Sequence, residues 1–395
     1  MTDPLGQSQV IAYLRGLSSK HCEFFLISFE KFDRYINKAS SVRNMIFDRN
    51  INWFPMRYTK YPLIFSTLTD LIRCLIKVFS LHRSYSFQII HCRSHIPSII
   101  GLVMKKIFGI KFIFDMRGWW VDEKYESGHW DNWIFKFIYY LMKKLEIKFI
   151  MESDHIVVLT YASKSLLTKK NPMLLEKITV IPTCVDFNLF GEFNTKDRYE
   201  TRSSLSISKG SIVLVYSGSL GGNYDVNNII KIFDSFIKVY PKGRIIILSK
   251  TSTKIFRDYL STNHLLNKNC ILLNVDYTEV HKYLSASDIG IIYYDVKFSS
   301  IGRSPTKLGE YWACGIPALA QKGIGDMDII KKELPLGLFL MDDLNNQLFD
   351  NERIPILDII DKKKLRFASE KYFGIERGIL SYEKIYSSLT SIKND

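Results

Sequence analysis

The stretch from 288 to 321, DIGIIYYDVKFSSIGRSPTKLGEYWACGIPALAQ, concentrates residues that can hold a charged, polar ligand. An apolar run ends at Tyr294. A polar loop follows it and carries Lys297, Arg303 and Lys307. TKLGEYWACG then reads as a short helix with Glu310 in its first turns, closed by Gly315 and followed by Pro317. Two cations, Arg303 and Lys307, beside a helix N-terminus suit a diphosphate. The Glu310 carboxylate, one turn further in, can accept two ribose hydroxyls. The plainer alternative is a favourable charge near the positive end of a helix.

Other candidates also close apolar runs. IVLVYSG (212–218) leads into SLGGNYDVNNIIKIF. Gly218, Ser219, Gly221 and Gly222 form a loop ahead of a helix, and such amides suit phosphate. The loop is neither GxGxxG nor a P-loop. SGSLG imitates a serine-hydrolase elbow, but Ser217 replaces the first glycine. Lys250 closes the next run, RIIILSK. In the first half, FQIIHCRSHIP and KFIFDMRGWWVDE place Arg93, His95, Asp115, Arg117, Asp122 and Glu123 at run ends. Asp115 and Arg117 also fit a local ion pair, and the tryptophans fit packing. His91, Cys92 and His95 lack a third well-spaced ligand, so no metal site is expected. At the start of the chain, DPLGQSQVIAYLRGL reads as a polar glycine turn, Gly6-Gln7-Ser8, opening a helix.

These residues need a scaffold that brings run ends together. FFLISF (24–29), WFPMRY (53–58), FQIIHCR (87–93), KFIFDMR (111–117), HIVVLT (155–160) and ITVIPT (178–183) read as strands. A polar stretch over 191–210 separates them from a second series: IVLVYSG (212–218), RIIILSK (244–250), CILLNV (270–275), DIGIIYY (288–294), IPALAQ (316–321) and GLFLM (337–341). Short apolar runs alternating with helices indicate parallel sheets covered on both faces. Two doubly wound domains are expected, split near 190, with ligands at the carboxyl ends of the strands.

Composition agrees with a folded α/β protein. The chain has 395 residues and is 47% hydrophobic, enough for two cores. Six cysteines without CxxC spacing exclude a disulfide scaffold and a structural zinc site, and suit a reducing compartment. The first ten residues carry no signal-peptide core. The longest apolar segment is broken by Asp70, Arg73 and Lys77, too many charges for a membrane span. The net charge is +14. Its distribution points away from nucleic acid. Basic residues recur inside apolar, aromatic helices at 70–83, 103–111 and 135–149, a texture suited to anionic lipid. Solvated lysines on ordinary amphipathic helices are the alternative.

SPTKLGEYWACGIPALA resembles the donor-binding segment of the retaining GT-B glycosyltransferases of family 4. That family carries E-x7-E, whose second glutamate binds the ribose of a nucleotide sugar, followed by E-A-x-A-x-G-x-P. Glu310 matches the second glutamate, with Ala313, Gly315 and Pro317 in register. The first glutamate falls on Gly302. VIPTCVDFNLF (180–190) is similar to the family's V-I-x-N-G-V-D-x-x-x-F, which leads from the first domain to the second. Family members usually hold the diphosphate with an Arg and a Lys near the first strand of the second domain. SGSLGGNYDV has no cation there, which leaves Arg303 and Lys307, with Lys250 a weaker candidate.

The resemblance implies GT-B architecture: two Rossmann-like domains facing a cleft, 1–190 on the acceptor side and 191–369 for the nucleotide sugar. A helix over 370–395 would cross back to the first domain. It implies sugar transfer from a nucleoside diphosphate to an acceptor hydroxyl, with retention and without metal or other cofactor. Glu310, Lys307, Arg303, Leu308, Gly218, Ser219, Lys250, Gly6, Gln7 and Ser8 become donor-site candidates. Arg93, Asp115, Arg117 and Glu123 become catalytic or acceptor-positioning candidates. The whole texture resembles bacterial enzymes of surface polysaccharide assembly, such as O-antigen or capsule. The expected acceptor is a lipid-linked saccharide, and the expected location is the cytoplasmic face of the membrane. An inactive or regulatory protein of the same fold, or a sugar-nucleotide epimerase, is the alternative. The family also places a strand before the opening glycine loop. That implies either an in-frame extension upstream of Met1, encoding about five to six apolar residues, or a genuine truncation that removes the strand.

Overall fold

The structure is a computed structural model, and it describes residues 1–18, 22–47, 49–128, 130–220, 225–250, 254–341, 349, 357 and 359–390. Contacts divide the chain into two units. Unit 1 is Met1–Cys184 with the segment from Ile375 onward, and unit 2 is Val185–Gly374.

Unit 1 opens with helix. Asp3 caps it by accepting from the Gly6 amide, and Pro4 takes the first helical position, where its missing N–H costs nothing. α1 (Pro4–Gly6), a π-helical turn (Gln7–Ile11) and α2 (Ala12–Leu17) run on without a break. There follow β1 (Phe24–Glu30), α3 (Phe32–Ile46), β2 (Ile51–Arg57), α4 (Leu63–Tyr85), β3 (Ile89–Arg93), α5 (His95–Phe108), β4 (Lys111–Asp115), α6 (Trp120–Glu126), α7 (Trp133–Glu152), β5 (His155–Val158), α8 (Tyr161–Lys170) and β6 (Ile178–Val180). β3, β4, β5 and β6 form one parallel sheet in that order, and β1 and β2 form a separate parallel pair. Alternation along β4 explains its two-sided burial. Phe112 and Phe114 face a cluster with Phe149 of α7, while Ile113 faces Tyr13 and Leu17 of α2.

Unit 2 contains α9 (Thr195–Ser204), β7 (Val213–Ser217), α10 (Val226–Val239), β8 (Arg244–Leu248), α11 (Lys254–Thr262), α12 (His264–Asn269), β9 (Cys270–Leu273), α13 (Val280–Ser285), β10 (Ile289–Ile292), α14 (Thr306–Ala313), β11 (Ala318–Gln321), α15 (Met327–Glu333), β12 (Leu338–Met341) and α16 (Lys362–Phe373). Its six strands are all parallel, in the order β12-β11-β10-β7-β8-β9. The order reverses between β7 and β10. In a doubly wound sheet, that reversal opens a crevice beyond the carboxyl ends of those two strands. α17 (Ile375–Thr390) belongs to unit 1 and packs Tyr382, Ile385 and Tyr386 there.

Each apolar run anticipated as a strand forms one; β1 runs one residue further and β2 starts two residues earlier than anticipated, and the others are trimmed at their ends. The junctions lie a few residues from 190 and 370. Val185 pairs with Gly374 in a parallel bridge, and Phe190 is buried in the core of unit 2, which ties 185–190 to that unit. The single helix expected over the C-terminal segment is two helices. Gly374 adopts extended backbone (ψ 128°) and separates α16 from α17.

Candidate active-site residues

In unit 2 the crevice at the β7/β10 reversal is built on one aromatic residue. Gly290 in β10 leaves room for the ring of Tyr311 from α14, because a Cβ there would meet that ring at 2.3 Å. The Tyr311 hydroxyl donates to the Ile291 carbonyl at 3.1 Å and accepts from the Ser217 amide at 3.2 Å. α14 is thereby bolted across the ends of β7 and β10.

One turn into α14, the buried Glu310 carboxylate takes two partners. Tyr277 donates its hydroxyl to Oε1 at 2.9 Å, and Lys307 donates from Nζ to Oε2 at 2.8 Å. Each carboxylate oxygen has two acceptor positions, so one remains on each. Burial, followed by the Glu310 charge, pushes the Tyr277 phenol far above its ordinary range. It therefore stays a donor. Phe190 packs edge-on against the Tyr277 ring at 5.5 Å. This gives the VIPTCVDFNLF segment a physical role: it props the residue that props Glu310.

The other unit 2 candidates are placed as follows. Arg303 holds its guanidinium 4.8 Å over the Tyr294 ring, at the end of β10. Gly302 is buried in a 3-10 turn (Phe298–Gly302). The Leu308 side chain is buried in the core, and its amide bonds the Pro305 carbonyl at 3.1 Å. The Gly218 amide donates to Leu248 at 3.0 Å, and the Ser219 carbonyl accepts from the Tyr216 hydroxyl at 2.7 Å. Gly221 and Gly222 lie outside the described residues. α10 is capped by Asp225, which accepts from the Asn227 amide at 2.8 Å and puts a carboxylate at that helix end. Lys250 is exposed and 3.8 Å from exposed Asp276.

In unit 1 the ends of β3 and β4 bring Arg93, Asp115 and Arg117 together. The Ser94 amide donates to the Asp115 carbonyl at 2.7 Å and locks the two strand ends in register. Asp115, 1% exposed, receives Tyr382 Oη at 3.2 Å and Arg93 Nη1 at 3.5 Å on Oδ2, with His91 Nε2 also 3.5 Å away. Arg117 Nη1 stands 3.8 Å from Oδ1, and neither of those two atoms has a hydrogen-bond partner. Burial alone would raise the Asp115 carboxyl. Arg117, His91 and Arg93 outweigh it and hold the group at about 2. Arg117 sits at φ 52°, a left-handed conformation uncommon for its type. Asp115 is thus an anchor, and Arg93, a third exposed, is the side chain it presents.

Some expectations need correcting. Gly6, Gln7 and Ser8 are not a turn ahead of a helix but already helical. The Gly6 and Gln7 amides are taken by Asp3 Oδ1 and its carbonyl, and Ser8 Oγ by the Pro4 carbonyl. Gly6 is small because a Cβ would stand 2.8 Å from Met1 Cα. Asp122 is drawn into a separate network on α7: Lys143 Nζ donates to it at 2.9 Å and to Glu146 at 2.5 Å, and Glu146 meets His95 at 2.8 Å. Glu123 is half-buried in the first turn of α6. His91 and His95 serve different partners, Tyr386 at 2.8 Å and Glu146.

Residues 7–189 match the family model described as Glycosyltransferase Family 4. Three solved structures share the fold across nearly the whole chain. HepE of Anabaena in complex with UDP is 13% identical, covers 98% of this chain and 98% of its own, and has a TM-score of 0.70. Sucrose-phosphate synthase of Thermosynechococcus elongatus is 15% identical over 93% and 99%, with a TM-score of 0.67. The lipopolysaccharide outer core galactosyltransferase WaaB, in its apo form, is 14% identical over 97% and 97%, with a TM-score of 0.61. The chain has the GT-B fold. No curated protein matches its sequence.

Tyr277 is the member of the Glu310 cluster that sequence reasoning missed. Its position just beyond the β9 run, CILLNV, was the available signal, since that is where doubly wound sheets place ligand-side residues. In the Tyr277→Phe variant, Glu310 loses one of its two fixed donors. A hydrogen bond to a charged group contributes about 1.5 kcal/mol, so donor affinity falls roughly tenfold. Calorimetric titration of the parent and the variant checks this.

Proposed function

We propose that the protein transfers a sugar, with retention, from a nucleoside diphosphate to a hydroxyl of a lipid-linked saccharide during cell-surface polysaccharide assembly, of the O-antigen or capsule kind. The observation that carries the donor half is Glu310, buried on α14 at the strand-order reversal and held by Tyr277 and Lys307. Its two open acceptor positions suit the two hydroxyls of a ribose. Lys307, about a quarter exposed, can turn from Glu310 to the diphosphate as the ribose arrives. Arg303 stands at the same strand end. Negative charge grows on the diphosphate as the glycosidic bond loosens, and fixed cations stabilise it without reorganisation. No metal ion or other cofactor enters this reading. The leaving phosphate itself helps deprotonate the acceptor, so no dedicated base is assigned.

HepE, a structural neighbour, has been captured with UDP and with UDP-glucose, and WaaB is named for lipopolysaccharide outer core. The first supports a nucleotide sugar donor and the second a surface saccharide acceptor. Arg93 and Arg117, on the unit matched by the family model, are the proposed acceptor-side cations, with Asp115 holding them. Among the described residues no helix is long and apolar enough to cross a membrane. The proposed placement is peripheral, at the cytoplasmic face, next to the lipid-linked acceptor.

The test is the anomeric configuration of the product. Proton NMR of the transferred sugar, formed from an α-linked donor in EDTA, is expected to show the α anomer. A β anomer, or free sugar epimerised on donor alone, would overturn the assignment.

A further inference from the structure

α4, α5 and α7 lie side by side on one face of unit 1. Phe79 of α4 meets Phe108 of α5 ring to ring at 5.1 Å, and His95 of α5 meets Glu146 of α7 at 2.8 Å. Each flanking helix has two unlike faces. α4 buries Ser66, Asp70, Cys74, Val78 and Leu81 and exposes Ile64, Phe65, Leu68, Ile72 and Ile76 on the opposite side. α7 buries Met142, Glu146, Phe149 and Ile150 and exposes Trp133, Phe137, Tyr140, Leu141, Ile147 and Met151. The exposed set on α4 recurs at three- and four-residue intervals and forms one stripe; that on α7 follows the same face, with Lys144 in line between Leu141 and Ile147. At 1.5 Å per residue, the stripe is about 18 Å long on α4 and about 27 Å on α7. Phe65 is 71% exposed and Trp133 is 79% exposed, values for side chains that nothing in unit 1 covers. Stripes of this size mark an interaction surface.

Charge chooses the occupant. Arg73 and Arg83 on α4, Lys106 on α5 and Lys136 and Lys148 on α7 are exposed, and Lys144 lies exposed within the α7 stripe. The one acid of α4, Asp70, is buried under Thr59 and Arg73. The one exposed acid of α7 is Glu152, in its last turn. A second copy of the chain would bring this basic face against itself, because a two-fold interface is self-complementary. An anionic bilayer takes both parts: acyl chains for the apolar stripes and headgroups for the cations.

We infer that the outer face of α4, α5 and α7 lies in the interface of an anionic membrane, with Phe65, Ile72, Trp133 and Phe137 inserted and the flanking lysines and arginines at headgroup level. This deepens the lipid-linked acceptor reading by naming the surface that meets the membrane, but it stands on the helices themselves. The surface lies on the helices, not the strand ends, so membrane binding and donor binding are separable.

The experiment is co-sedimentation of the full chain with phosphatidylcholine vesicles, alone or with about one third phosphatidylglycerol, at about 0.1 M salt. The protein is expected to pellet with the anionic vesicles, to stay in solution with the neutral ones, and to be released by high salt. Lys136→Glu/Lys144→Glu/Lys148→Glu is expected to weaken partitioning about a hundredfold or more, since each lysine near the surface contributes about fivefold. Phe65→Ser/Ile72→Ser and Trp133→Ser/Phe137→Ser are each expected to lose most binding. Calorimetric binding of a nucleotide sugar in solution is expected to be unchanged in all three, showing them folded. Failure to bind anionic vesicles, or serine variants that bind like the parent, would overturn the inference. So would a dimer in size-exclusion chromatography that the serine variants dissolve, which would assign the face to a second copy. Loss of donor binding by the unaltered chain bears on the donor reading instead.

Discussion

Glu310→Gln lowers affinity for the nucleotide sugar by roughly a hundredfold to ten-thousandfold. Two ribose hydroxyls bonded to a carboxylate contribute about 1.5–3 kcal/mol each, and the amide keeps one weaker acceptor in place of two. The arrangement in unit 2 makes the loss larger than a surface count suggests. Glutamine offers an NH2 where Lys307 now finds an oxygen, so the lysine loses its partner as well. The effect falls on donor binding and on kcat/KM together, because the ribose is held in both ground and transition state. Titration of the donor into both proteins, with circular dichroism to confirm folding, checks it. Unchanged affinity would leave Glu310 as a buried structural carboxylate.

Asp115→Asn destabilises unit 1 by about 3–5 kcal/mol, the usual cost of breaking a buried ion pair from one side. The substitution leaves Arg117 and Arg93 facing an amide, with Arg117 nearly buried. pH resolves the cause. The Asp115 carboxyl is held at about 2 in the folded chain and returns to about 3.8 when unfolded. A depressed folded value means the stabilisation is fully present above the unfolded value. It is lost as pH falls from about 4 towards 2, and the part lost is about 2–3 kcal/mol. Urea melts at pH 7, 4 and 3 are expected to show the gap between parent and variant narrowing over that window. A gap independent of pH would locate the defect in packing. Turnover that persists in the variant at low temperature would confine Asp115 to the scaffold.

The strands were legible because parallel sheets buried on both faces write themselves as continuous apolar runs; IVLVYSG and RIIILSK have few other ways to fold. The strand ends were legible by the same token, so Arg93 and Asp115 could be named from position, whereas Lys307 and Glu310 were read from the short helix that follows β10 and from the family resemblance. The opening segment was misread although its cues were present. Asp3-Pro4 is an N-cap followed by a first-turn proline, and Gly6 and Ser8 obscured it because both types also favour turns. Partners far apart in sequence left no local trace. Tyr277 reaches Glu310 from another strand end, and Tyr382 reaches Asp115 from the C-terminal helix. Asp122 is diverted to Lys143 by the packing of α6 on α7, which periodicity does not specify. The division of the unit 1 strands between two sheets is likewise a pairing fact that no single run encodes.

The central claim is that unit 2 binds a nucleotide sugar through Glu310, and calorimetric titration of the full chain with a panel of nucleotide sugars tests it most directly. The account predicts saturable one-to-one binding of one nucleotide series, retained in EDTA and lost in Glu310→Ala. Absence of binding across the panel, or binding that Glu310→Ala leaves intact, would contradict it.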